Sequence, residues 1–143
     1  MMRASIVSEP INVASLTREA ASDSCGATAV FLGTVRSTNE GREVNGIEYS
    51  AYEEMAEKEM RAILGEASAK FVIRAGVIEH RIGVLKVGEI SIAVVVAHPH
   101  RHYAMDALRY IVDQTKARAT IWKLEHYADG TREWVNAGSG APR

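Results

Sequence analysis

The sequence predicts an α+β fold, a single domain in which strands and helices mix without forming a doubly wound sheet. Three observations predict it. Apolar stretches of strand length alternate with two long amphipathic segments. Two neighbouring pairs of strands are separated by turn chemistry short enough for hairpins. No Gly-rich phosphate loop opens a helix after a strand, as a nucleotide-binding βαβ unit requires. A chain of 143 residues is one ordinary domain, and at this size about 68–70% of the unfolded surface is buried without disulfide or metal staples.

Taken in order, Ile11 to Ala21 is a short amphipathic helix with Asn12 as its N-cap, and Gly26 fits a turn after it. Ala27 to Arg36 reads as a strand. Val44 to Tyr52 is a second one, after a polar loop, Ser37 to Glu43, whose Asn39-Glu40-Gly41 is turn chemistry; the two strands can pair as a hairpin. Glu53 to Ala69 is helical, since Ala56, Met60, Ile63 and Ala67 recur at steps of four, three and four. Phe71 to Arg81 and Glu89 to His98 are strands joined by a segment bounded by Gly83 and Gly88. Arg101 to Ala117 is the second long helix, with Ala104, Ala107, Leu108, Ile111 and Thr115 on one face. Lys116 falls roughly 110° from the centre of that stripe, on its flank. Thr120 to Tyr127 is a strand on which Trp122 and Leu124 share one face and Lys123 and Glu125 the other. Asp129-Gly130 turns the chain into Glu133-Trp134-Val135. The domain is expected to span 1–135, with a frayed Gly, Ala, Ser and Pro-rich tail over 136–143.

Composition narrows the partners. Hydrophobic residues make up 47%, charged residues 24%, and the formal net charge is −1, so no basic excess is available to hold nucleic acid through counterion release. Cys25 is the only cysteine, which excludes an internal disulfide and any Cys-x-x-Cys motif. The start, Met1-Met2-Arg3-Ala4-Ser5-Ile6, has no apolar h-region, and no apolar run approaches the roughly 20 residues of a membrane span. A cytoplasmic protein that uses neither nucleic acid nor membrane is expected.

The most informative stretch is Ala97-His98-Pro99-His100-Arg101, which joins a buried-looking strand to a helix that ends near Lys116, with Lys123 on the next strand. Backbone donors at a helix start favour anions, and His100, Arg101 and the two lysines add charge if the fold gathers them. The alternation of His98, His100 and His102 also suits one metal ion on an extended segment, as in a hydrolase. Pro99 and the helix start break that geometry, and no Asp or Glu stands beside them. We expect no metal. The simplest role for His98 is structural.

Lys116 and Lys123 are solvated lysines by default. Position argues for more at Lys123, flanked by Ile121-Trp122 and Leu124. A lysine acting as nucleophile or base near pH 7 must lose roughly 3 units from its reference of about 10.4, or about 4 kcal/mol. One like charge at about 6 Å supplies on the order of 2.8 kcal/mol at an effective dielectric of about 20, so clustering with Arg36 and Arg101 would both bind an anion and activate an amine. Arg36 ends Phe31-Leu32-Gly33-Thr34-Val35-Arg36, where Gly33 suggests close approach of a backbone or ligand. Glu53, Glu54, Glu57 and Glu59 read as a solvated helix face, and Cys25 as a small buried residue.

At these residues the sequence resembles the family of large, catalytic subunits of molybdopterin synthase. The resemblance runs from Gly26-Ala27 to Trp134-Val135. It rests on Phe31-Leu32-Gly33-Thr34-Val35-Arg36, Tyr52-Glu53-Glu54-Met55-Ala56, His80-Arg81-Ile82-Gly83, His100-Arg101 with Ala104, and Ile121-Trp122-Lys123 followed by Glu125. It implies an α/β hammerhead fold with additional antiparallel strands. It also implies an enzyme that converts cyclic pyranopterin monophosphate to molybdopterin by installing the two dithiolene sulfurs. The family binds no cofactor of its own for this; sulfur arrives as the thiocarboxylate of a small ubiquitin-like partner whose C-terminal Gly-Gly threads into the large subunit. Two large subunits pair as a homodimer at the centre of a heterotetramer. By position, Thr34, Val35, Arg36, His100, Arg101, Lys116, Lys123, Leu124 and Glu125 match the substrate site, and Lys116 and Lys123 the catalytic lysines. Many relatives carry Pro where this chain has Thr120 and a second basic residue where it has Leu124. The first change is expected to loosen the entry to the last strand, the second to remove one charge near the substrate.

Overall fold

The computed structural model describes residues 1–135; the tail expected over 136–143 lies outside the described residues. In chain order the elements are β1 (Met2–Val7), α1 (Val13–Ala20), β2 (Ala27–Thr34), β3 (Thr38–Asn39), β4 (Arg42–Ala51), α2 (Glu53–Phe71), β5 (Ala75–Arg81), β6 (Gly83–Lys86), β7 (Ile90–His98), α3 (Arg101–Arg118), β8 (Ile121–Tyr127) and β9 (Arg132–Val135). They build two sheets. One has the strand order β1-β5-β7-β2; the other runs β3-β4-β8-β9, with β6 also paired to β4. This is the mixed α+β architecture expected.

The first sheet is covered on both faces, which explains why β7 is a continuous run of buried residues rather than an alternation. On one face, Leu16 and Ala20 of α1 pack with Ala75, Val77, Ala93, Val95 and Ala97. Asn12 caps that helix as the sequence suggests, its side chain accepting from the Ser15 N–H at 3.0 Å. On the other face, Met60, Ile63, Leu64 and Ala67 of α2 and Ala107 and Ile111 of α3 meet Ile78, Ile92, Val94 and Val96. Val44, Ile47, Tyr49, Leu85, Ile121 and Tyr127 of the second sheet belong to that same core. The second sheet therefore closes over one end of the helical layer.

Two expectations need correction, and one strand was not anticipated. Ala27–Arg36 and Val44–Tyr52 do not form a hairpin. β2 runs antiparallel to β7, with Ala27 opposite His98 and Phe31 opposite Val94, whereas β4 pairs with β6 and β8. The cause is local. Glu40 and Gly41 both adopt positive φ, 51° and 78°, which closes a tight turn and lets β4 pair back only on Thr38 and Asn39. Val35, buried, is the corner between the sheets, its N–H donating to Glu89 O at 3.0 Å and its carbonyl accepting from Gly88 N at 2.8 Å.

Phe71 ends α2 rather than starting a strand. It stacks edge-on against Tyr110, centroids 5.9 Å apart, and the helix stops one residue later with Val72 in the left-handed region. β1, not anticipated, runs parallel to β5 with Ala4 opposite Ile78. Its apolar face is only Ala4 and Ile6 between polar Arg3 and Ser5, too weak a pattern to read. The hairpin across Asp129-Gly130 forms as expected, Leu124 facing Trp134.

Candidate active site

Between the sheets, at the C-terminal end of α3, lies a cleft of about 470 Å³ lined by Gly33, Thr34, Arg36, Thr38, Val44, Ile47, Tyr49, His80, Ser91, Ile92, Thr115, Lys116, Ile121, Lys123 and Glu125. Each wall follows from the fold. β2 ends beside the cleft with a bulge at Gly33/Thr34 that turns the chain toward Arg36. Gly33 is there for closeness, since a Cβ would come within 2.6 Å of Ile92 Cγ2. Thr115 is the last buried residue of the α3 stripe, so Lys116 lies on the flank and reaches over the edge; its Nζ sits 5.9 Å from the centroid of the Phe31 ring. On β8, alternation sends Lys123 and Glu125 into the cleft and Leu124 away from it.

Glu125 is the most constrained charge in the site. Only 3% exposed, it accepts on Oε2 from Tyr127 OH at 2.6 Å and from Asn39 Nδ2 at 2.8 Å, leaving Oε1 4.0 Å from Lys123 Nζ. Asn39 also donates to Tyr127 OH at 3.2 Å, and the Arg42 guanidinium lies 3.6 Å over the Tyr127 ring. This network ties the β3–β4 turn to β8 and fixes the direction in which the Glu125 carboxylate points.

Burial draws the Lys123 ammonium below the usual lysine value; Glu125 opposes the shift, and Lys116 and Arg36 reinforce it. Burial also pushes the Tyr49 phenol up, with a contribution from Glu125. His80 is drawn down to about 4, chiefly by burial, with Lys116 and Lys123 repelling a further proton and the Arg81 carbonyl opposing. The cleft thus combines three cations, a fixed carboxylate and a neutral imidazole, a set suited to an anion and to proton transfer at an amine.

Thr34, Arg36, Lys116, Lys123 and Glu125 are brought together as the sequence predicts. Val35 is buried in the core, and Leu124 occupies the far face of β8. His100 and Arg101 are not in the cleft. They line an open recess at the other end of α3 with Gly26, Pro99, His102 and Tyr103, fifteen residues from Lys116 or about 22 Å along the helix. Within one chain the expected single cluster is therefore two. His98 is structural: its Nε2–H donates to Phe71 O at 3.0 Å and its Nδ1 accepts from His100 N at 2.8 Å. Both ring nitrogens are thereby occupied, which removes His98 from the alternating-histidine metal reading.

Thr120 is tied down at the entry to β8. Its hydroxyl donates to Glu59 Oε1 at 2.9 Å, and its carbonyl accepts from Tyr52 N at 3.3 Å. That bond also gives Glu59 a structural task beyond a solvated face, as does the bond from Ile6 N to Glu57 Oε2 at 2.8 Å. Cys25 is half-buried beside the α1 cluster, outside the cleft. Sequence reasoning missed Tyr49, His80, Ser91, Asn39 and Tyr127 as parts of the site. A signal existed for His80, two residues after Ile78 on a strand and so on the same inward face. None existed for Asn39, which reaches Glu125 across 86 positions.

An α+β scaffold with a partly buried, lysine-bearing cleft is the kind of site that suits an anion and acid–base or nucleophilic chemistry. Comparison with known proteins is specific. The family profile described as MoaE protein matches residues 6–118. The molybdopterin synthase catalytic subunit of Pyrococcus abyssi is 41% identical over 142 residues, covering 98% of this chain and 95% of that protein. The crystal structure of molybdopterin synthase from Staphylococcus aureus aligns with a TM-score of 0.87 at 34% identity, covering 92% of this chain and 95% of that one. A Helicobacter pylori complex of subunits 1 and 2 of molybdopterin-converting factor shares the fold, with a TM-score of 0.76 at 20% identity. Not all relatives have this length: the chain spans 36% of the Drosophila melanogaster catalytic subunit, to which it is 37% identical. The chain belongs to the MoaE protein family.

Proposed function

We propose that this chain is the catalytic subunit of a molybdopterin synthase, a sulfurtransferase that converts cyclic pyranopterin monophosphate to molybdopterin by forming its dithiolene. The observation that carries the reading is the convergence of Arg36, Lys116 and Lys123 on one cleft, with Lys123 partly desolvated. A cyclic phosphate and a thiocarboxylate are both anions, and three cations in a confined space hold them. An amine drawn below its ordinary value exchanges protons closer to neutral pH, and Glu125 is aimed to take one from it.

The chain needs sulfur from outside. Cys25 stands apart from the cleft, so in this reading the protein binds no cofactor for the reaction and receives sulfur from the thiocarboxylated Gly-Gly tail of a small ubiquitin-like subunit. The two-subunit composition of the Helicobacter pylori protein supports a small partner. A free cysteine suits the reducing cytoplasm.

The distant His100 and Arg101 enter this reading through a homodimer, in which those residues of a second copy approach the cleft of the first. A substrate of pterin size cannot touch both ends of one α3. Val35 and Leu124 contribute by placing their neighbours Arg36, Lys123 and Glu125, since Val35 is buried in the core and Leu124 lies on the far face of β8.

The decisive experiment mixes the purified chain with thiocarboxylated small subunit and cyclic pyranopterin monophosphate and looks for the dithiolene product. Product that requires both proteins and the terminal Gly-Gly establishes the function. Binding of the pterin without turnover would instead make this a non-catalytic anion-binding module.

A further inference from the structure

The neutral imidazole in the wall of the cleft is given no task in the proposed reaction. His80 is 7% exposed and lines the cleft from β5, on the face it shares with Ile78. Its ring meets Tyr49 edge-on, centroids 5.0 Å apart at 67°. Nδ1 lies 2.9 Å from the carbonyl oxygen of Arg81. A carbonyl only accepts, so Nδ1 carries the hydrogen and the neutral ring has its lone pair on Nε2. Among the described residues none donates to Nε2, and Nε2 is not among the buried polar atoms sealed from solvent without a partner. The opening available to it is the cleft.

We infer that His80 is a specificity-determining residue whose Nε2 accepts a hydrogen bond from an N–H or O–H donor on the ring system of the substrate, leaving the phosphate to the cations of the cleft. The inference rests on the pterin reading above and adds an orientation to it. Cations alone select any phosphate. A neutral acceptor in the wall adds a rule about direction. The cyclic phosphate diester of the substrate is a monoanion without an O–H and has nothing to donate to a lone pair, so its oxygens are repelled from that wall, whereas a pterin ring presents several N–H groups. The rule holds through the physiological range, because burial and the nearby Lys116 and Lys123 keep the imidazole unprotonated down to about pH 4. An unpaired buried acceptor is costly, so a ligand lacking the donor is selected against.

Calorimetry separates this role from a structural one. Wild type, His80→Gln and His80→Phe are titrated with cyclic pyranopterin monophosphate and, separately, with inorganic phosphate. His80→Phe keeps the apolar contact with Tyr49 but loses the acceptor; its affinity for the pterin should fall about tenfold, with phosphate within about twofold of wild type. His80→Gln keeps an acceptor oxygen and should recover most of the loss. Should the variants fold poorly, nitrogen NMR of the wild-type imidazole decides: the Nε2 resonance should move upfield on adding the pterin and stay in place with inorganic phosphate. An unchanged pterin affinity in His80→Phe, an equal loss for both ligands, or an unmoved Nε2 signal in the pterin complex overturns the inference and leaves the proposed function standing. A wild-type protein that binds phosphate but no pterin overturns both.

Discussion

At its C-terminal end α3 places Lys116 beside a cleft that a second sheet closes; at its N-terminal end His100, Arg101 and His102 stand exposed around an open recess. The residue types are similar and their circumstances are not. Where β8 and β4 cover the helix end, charges lose water and change one another: Lys123 is lowered, His80 is held neutral and Glu125 is fixed by two donors. Where none of the described residues of the chain covers it, the helix start offers backbone donors in water, and attraction for an anion is screened. A cation cluster becomes a site when tertiary structure takes its solvent away.

The sharpest way to break this contrast is at Lys116. Lys116→Ala should retain the fold and lose about a thousandfold or more in dithiolene formation, the scale of a missing acid–base or nucleophilic group. Near-normal turnover measured with the thiocarboxylated partner would remove Lys116 from the chemistry.

His80 tests the burial half of the comparison. Its folded value, about 4, lies below the ordinary histidine value of 6.5, so the unfolded chain binds the extra proton first. The stability that neutral His80 supports is fully present above pH 6.5, falls as pH drops from 6.5 to 4, and is worth about 3 kcal/mol over that window. Denaturant titrations at pH 7 and pH 4.5 should show most of this difference in wild type and little of it in His80→Gln. Identical pH profiles would mean that the imidazole is not buried neutral.

The open end is tested through the homodimer. Arg101→Ala should weaken pterin binding by about 1.5–3 kcal/mol in calorimetry, as loss of a charge-assisted hydrogen bond does. Mixing Lys116→Ala with Arg101→Ala protein should restore activity, because one cleft of each mixed dimer then holds an intact Lys116 and faces an intact Arg101. No recovery in mixtures shown by sedimentation to exchange subunits would confine Arg101 to its own recess.

The smallest effect belongs to a charge pair that lines neither the cleft nor the recess. Arg118 Nη1 donates to Glu66 Oε1 at 2.7 Å, and the Glu66 carboxyl is held well below its usual range by Arg118 and then by Tyr110. Both side chains are more than a third exposed, so solvent screens the pair. Arg118→Ala should cost less than about 1 kcal/mol in thermal denaturation. A larger loss would show that screening near α3 is weaker than its exposure suggests.

Periodicity in the sequence determined the two long helices, the buried strand β7, the capping by Asn12 and the β8–β9 hairpin, because each depends on residues a few positions apart whose burial or turn geometry is local. The same local rule on β8 set Lys123 and Glu125 on one side and Leu124 on the other. Assigning β2 and β4 to different sheets, seating His80 among the site residues, tying Asn39 to Glu125 and separating Arg101 from Lys116 were decided only by tertiary structure. The physical reason is range. Hydrophobic patterning says which face of a segment turns inward, but not which distant segment it meets. The dielectric that makes a lysine reactive or a histidine neutral is a property of the assembled walls rather than of any stretch of chain.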